Sequence, residues 1–133
     1  MAQALAAGGF TLVAVIVALT VLAFRDRTPL TPALRLATRA GLVALVAAQV
    51  AGAVMIGTGM RLVFAGDPHR AYTTGGWLKP VHAALMHGIL VLPLAAWQLS
   101  RTDWNPGSRL RAMWAAVALY ALVVAGAVVA SVR

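Results

Sequence analysis

The sequence predicts an all-α protein: a four-helix transmembrane bundle made of two parallel helical-hairpin repeats, with both termini on the outer side. Three observations predict it. Four apolar runs are each long enough to cross a bilayer. Lysine and arginine gather at alternate connections between those runs. The chain also matches itself without gaps when position 27 is laid on position 101.

Composition sets the class. Of 133 residues, 62% are hydrophobic and 11% charged, against roughly 45–50% and ~25% in soluble domains. A soluble globular domain and a disordered chain are both excluded. There is no cysteine, which removes thiol catalysis, thiolate metal sites and iron–sulfur ligation. The only acids are Asp26, Asp67 and Asp103, and none lies in an apolar run. A carboxylate-driven antiporter and a paired-carboxylate hydrolase therefore lack their central group. The net charge of +8 comes from cations that bracket the apolar runs. It reads as membrane topology, with the lipid bilayer as partner and no nucleic acid.

The first run, 2–24, carries no charge along its whole length. It lacks a basic n-region and is too long for a signal peptide. The second run is 40–60, the third 80–100 and the fourth 112–132, and all three are equally long and free of charge. The expected helices span about 2–24, 37–62, 78–100 and 109–132 of one transmembrane domain, 1–133, with an outer loop at 66–76. In that loop Asp67-Pro68 and Gly75-Gly76 are turn signals. His69 beside Asp67 makes two ligands on a loop, short of a metal site.

Arg25, Arg27, Arg35 and Arg39 flank the first connection, and Arg101, Arg109 and Arg111 the third. Arg61, Arg70 and Lys79 flank the second, and Arg133 ends the chain. The bias puts connections one and three in the cytoplasm. Trp77 at one end of the third run, and Trp97 and Trp104 at the other, suit the interfacial aromatic belts.

At this offset of 74, Arg27-Thr28, Pro32, Arg35-Leu36 and Val50-Ala51-Gly52-Ala53-Val54 recur as Arg101-Thr102, Pro106, Arg109-Leu110 and Val124-Ala125-Gly126-Ala127-Val128. The stretch 27–54 holds 14 identities in 28. Repeat A is 1–65 and repeat B is 77–133, and the offset puts connections one and three on the same side, as the charges do. Ala44, Ala48 and Gly52 form a small-residue stripe, with Ala118, Leu122 and Gly126 a partial copy. Gly52, Gly126 and Ala48 are expected to let the second and fourth helices pair closely, at the pseudo-symmetric centre or at an oligomer interface. The plain alternative is that Ala and Gly are simply common here.

The halves differ in the third run. His82 and His87 have no counterpart in the first. An ionisable group inside a membrane is a functional candidate by default. His82 lies one turn below the outer interface, and His87 roughly 13 Å deep. Five positions apart, they are about 140° apart around the helix, so they face different neighbours. A neutral imidazole can ligate haem through one ring nitrogen. The candidate cofactor is therefore b-type haem, with His87 and His82 as candidate iron ligands, or a quinone contacted by His87. The sixth position would fall to Met55, Met60, Met113, water or another protomer's histidine. Ala83, Ala84 and Gly88 leave room for a flat ring, and Arg61, Arg70 and Lys79 could pair with propionates. The plain alternatives are a hydrogen bond from His87 to Gln49, and interfacial anchoring by the cations.

The stretch Val81-His82-Ala83-Ala84-Leu85-Met86-His87-Gly88, continuing through Leu92-Pro93 to Ala96-Trp97, resembles a helix of small bacterial multi-pass membrane proteins of actinobacterial type, which carry no assigned activity. It covers about one helix of four and implies that His82, His87 and Pro93 belong to one pattern. The Ala-rich, Arg-over-Lys composition fits a high-GC bacterium and its inner membrane. The leading functional expectation is a redox-type membrane subunit, not an enzyme by itself, with no catalytic residue. The alternatives are a cofactor-free structural or assembly subunit, and a small transporter or channel lined by His87 and Gln49. A homo-oligomer or a place in a larger membrane complex is expected.

Overall fold

Three helix starts share one local device: a capping side chain followed by proline. Thr31-Pro32, Asp67-Pro68 and Asn105-Pro106 each place an oxygen acceptor before a residue that needs no N–H partner. Thr31 Oγ1 accepts from Leu34 N at 3.4 Å, Asp67 Oδ1 from Arg70 N at 3.0 Å, and Asn105 Oδ1 from Ser108 N at 2.8 Å.

A computed structural model of the chain describes residues 2–25, 29–74 and 76–132, with side chains from residue 7 to 131. Five helices follow in order: α1 (Ala2–Arg25), α2 (Pro32–Phe64), α3 (Pro68–Thr74), α4 (Lys79–Ser100) and α5 (Pro106–Val132). The four long ones are long and apolar enough to cross a membrane, as in a multi-pass membrane protein. Asp26, Arg27, Thr28, Gly75 and Arg133, which entered the charge, repeat and turn readings, lie outside the described residues.

Two elements differ from expectation. The segment 66–76 is not all loop but carries α3, because Asp67-Pro68 works as a helix start and not as a turn. Gly66, at φ 83°, makes the bend from α2 into it. Helix α2 begins at Pro32 and not near 37: the Thr31 cap and Pro32 start it, and Arg35 and Arg39 do not interrupt it. Its 33 residues measure about 50 Å at 1.5 Å per residue, so both charged ends overrun a ~30 Å core.

Helix α2 is the hub. It packs on α1, α3, α4 and α5, and most extensively on α4, which also packs on α5. Among the described residues, α1 touches no long helix besides α2. Arg39 fastens it there: Nε donates to Ala23 O at 3.0 Å and Nη2 to Phe24 O at 3.3 Å. These carbonyls belong to the C-terminal end of α1, where helical partners run out and a cation is favoured. The guanidinium also stacks 5.0 Å from the Phe24 ring.

The core lies toward the end that holds the α1–α2 and α4–α5 connections. Ala33 and Ala37 of α2, Leu92 and Ala96 of α4, and the fully buried Met113 of α5 form it. Near its top the backbones of α2 and α4 nearly touch. A Cβ at Gly41 would sit 2.9 Å from Ile89 Cα, and one at Gly88 would sit 2.9 Å from Ala44 Cβ. Small residues permit this approach where no hydrophobic force joins helices. The expected close pairing within the chain of the second and fourth apolar helices, α2 and α5, is thus secondary, and the close partner of α2 is the third, α4. Among the described residues, nothing lies within 4 Å of where a Cβ at Gly126 would be.

Replacing Gly41 with leucine should overpack a backbone contact and cost about 1–3 kcal/mol. Gly126→Leu should be neutral by comparison. Thermal unfolding of both variants in detergent, followed by circular dichroism, checks this ordering.

Candidate functional site

Helix α4 positions both membrane histidines, and their spacing sends them in different directions. His82 turns into the bundle: its Nδ1–H donates to Ala48 O of α2 at 2.7 Å. A carbonyl can only accept, so Nδ1 carries the proton and Nε2 of the neutral ring keeps its lone pair. Gly52 makes room for the ring, whose Cε1 lies 3.2 Å from where a Cβ at Gly52 would be. Ala48 is fully buried beneath it.

His87 turns outward and is exposed. Its Nδ1–H donates to Ala83 O, one turn back on the same helix, at 2.7 Å. With Nδ1 donating there, a neutral ring would keep its lone pair on Nε2, the tautomer a metal-ligating or acceptor imidazole needs. Gln49, half-buried on α2, shares no hydrogen bond with His87 among the described residues.

The room expected beside Gly88 is taken by a flat ring from the chain itself. Tyr120 of α5 places Cε1 at 3.2 Å and Oη at 3.4 Å from the position of a Gly88 Cβ, and its hydroxyl donates to Ala84 O. Sequence reasoning passed over Tyr120. The available signal was a lone phenol in an otherwise apolar run, which must find an acceptor. It also passed over Gly41, which continues the Ala44, Ala48, Gly52 stripe by one step.

These contacts decide what a haem could use. His82 and His87 cannot ligate one iron from opposite sides of α4. Met113 is sealed in the core. No group of three His, Cys, Asp or Glu able to hold a metal occurs among the described residues. An axial pair from within this bundle therefore does not fit. The lone pair free for a cofactor outside the bundle is His87 Nε2.

The predicted cations divide. Arg61 at the end of α2 and Arg70 on α3 line one open recess of about 460 Å³, together with Thr58, Leu62, Thr74 and Trp77. Lys79 lies instead against the turn at Gly76, with Nζ 3.2 Å from where a Cβ there would sit. Comparison with family models, with curated proteins and with solved structures finds no match to this chain.

His82→Ala should remove the α2–α4 hydrogen bond, leave a small cavity, and lower stability by about 1–2 kcal/mol. His87→Ala, which removes only a bond within one helix, should leave the melting temperature nearly unchanged. Reversal of that order in detergent melts would contradict the assignment of inward and outward rings.

Proposed function

We propose that this chain is a small multi-pass subunit of a bacterial inner-membrane assembly, of redox type, which presents His87 to a b-type haem or a quinone held against the outer face of α4. The observation that carries this is the exposed imidazole near the middle of α4, with Nδ1 anchored on Ala83 O. An imidazole facing hydrocarbon is costly, so a second copy or another subunit covers that face. A haem there would be held by His87 together with a residue of the covering chain, and would supply electron-transfer chemistry. A quinone carbonyl would need His87 protonated on Nε2, or a bridging water, to receive a hydrogen bond.

A second reading is a cofactor-free assembly subunit. It is favoured by His82, whose polar contact joins α2 to α4 as a strut, and by the misfit of an axial pair within the bundle.

The scaffold of this proposal is a duplicated hairpin, 1–65 and 77–133. Its support includes the caps: Thr31 with Leu34 N, and Asn105 with Ser108 N, stand at the repeat offset of 74 and do the same job before Pro32 and Pro106. The charge bias places those two helix starts in the cytoplasm and both termini outside.

Two measurements test these readings. Protein purified in mild detergent should show a Soret band that shifts on dithionite reduction, lost in His87→Ala while the fold persists. A colourless protein whose partner dissociates in the same variant would leave the assembly reading, and a colourless variant-insensitive protein would overturn both. Because the chain has no native cysteine, Thr73→Cys and Ser108→Cys report sidedness directly. In intact cells an impermeant maleimide should label the first and spare the second.

A further inference from the structure

The recess at the outer end of α2 collects two arginines, and among the described residues no acid pairs with them. Arg61 is the first cation after the charge-free stretch 40–60, so it stands where the apolar span ends. The Asp67 cap sets α3 across that end and brings Arg70 to the same cavity. Asp67 itself is spent on the cap: its Oδ1 accepts from the Arg70 backbone and not from either guanidinium. Two arginines lining one recess give it a positive charge that an entering anion would offset.

The surroundings say what level the recess occupies. Leu62 and Trp77 give it an apolar wall, and Thr58 and Thr74 line it too. Phe64 (81% exposed), Tyr72 (89%) and Trp77 (43%) ring the same end. Exposed aromatics of this kind sit at the headgroup boundary. The volume, about 460 Å³, lies in the range of small-ligand sites.

From this we infer that the Arg61–Arg70 recess is a phosphate-binding site, whose ligand in the membrane is the phosphodiester of an anionic phospholipid. The planar guanidinium fork matches phosphate oxygens two at a time, and the apolar wall receives the start of the acyl region. The inference rests on the membrane placement of the chain and not on any cofactor at His87. The recess involves neither histidine, so loss of the one would leave the other standing.

The test uses the full chain in neutral detergent micelles, titrated with phosphatidylglycerol, phosphatidylcholine or inorganic phosphate. Bound ligand is counted by native mass spectrometry. Phosphatidylglycerol should bind in preference to phosphatidylcholine and weaken with salt. Arg61→Gln with Arg70→Gln should weaken it about 30-fold, on the order of two interfacial charges. The double lysine variant, which keeps the charge but loses the fork, should bind between the wild type and the Gln pair, and Arg101→Gln with Arg111→Gln, at the opposite end, should leave binding unchanged. If inorganic phosphate displaces the lipid with the same arginine dependence, the site takes a free phosphate compound. If it does not, the lipid is the ligand. Equal binding of the two lipids, an unaffected Gln pair, or an equal loss from the opposite-end pair would each overturn the inference.

Discussion

The close approach of α2 and α4 at Gly41 and Gly88 is the constraint on which the rest depends. Lipid tails are as apolar as leucine, so packing must supply what the hydrophobic effect supplies in water. Here a glycine from each helix removes the side chains that would separate the backbones. The approach then brings polar atoms within reach across helices. Ala48 O lies close enough for His82, and Ala84 O for Tyr120 of α5.

Both carbonyls use the same local device. Each already accepts the helical N–H four positions on, and in each case that residue is a glycine: Gly52 after Ala48, Gly88 after Ala84. Without a Cβ at that position the second lone pair stays open to a neighbour. The imidazole of His82 and the phenol of Tyr120 come in over those glycines. A single pattern, alanine then glycine one turn later, thus serves packing and hydrogen bonding together. At Gly126 the pattern is missing: the position one turn before it is Leu122, 69% exposed, and among the described residues nothing lies within 4 Å of a Gly126 Cβ.

The parts legible in the sequence were those governed by long-range composition. Four charge-free stretches and their flanking arginines located α1, α2, α4 and α5 within a few positions. The spacing of His82 and His87 was enough to separate their directions, because 100° per residue is geometry and needs no partner. What was not legible depended on which helix faces which. The stripe of Ala44, Ala48 and Gly52 reads as a contact surface in the sequence, yet periodicity cannot say whether α4 or α5 lies on it. The room beside Gly88 reads as space for a cofactor until Tyr120, a full helix later in the chain, is found in it. Asp67-Pro68 is ambiguous for a different reason. The same dipeptide starts turns and helices, and only the Arg70 N–H at 3.0 Å decides between them.

The two ends of the bundle solve opposite problems with arginine. At the end of the α1–α2 connection, Arg39 is used inward, on the Ala23 and Phe24 carbonyls and the Phe24 ring. Across the α4–α5 connection, Arg109 donates to Thr102 O at 2.6 Å, and Arg101 stacks 3.9 Å from the Trp97 ring. Arg39 closes the end of α1, where carbonyls lack helical partners and the helix dipole is negative, and Arg101 and Arg109 tie down the stretch that leaves α4. At the other end, Arg61 and Arg70 face a shared cavity. A cation that spends its donors on carbonyls has fewer left for an outside anion, whereas two that line a recess focus positive potential there. The same residue type therefore stiffens one end of the molecule and leaves the other end with an unsatisfied charge.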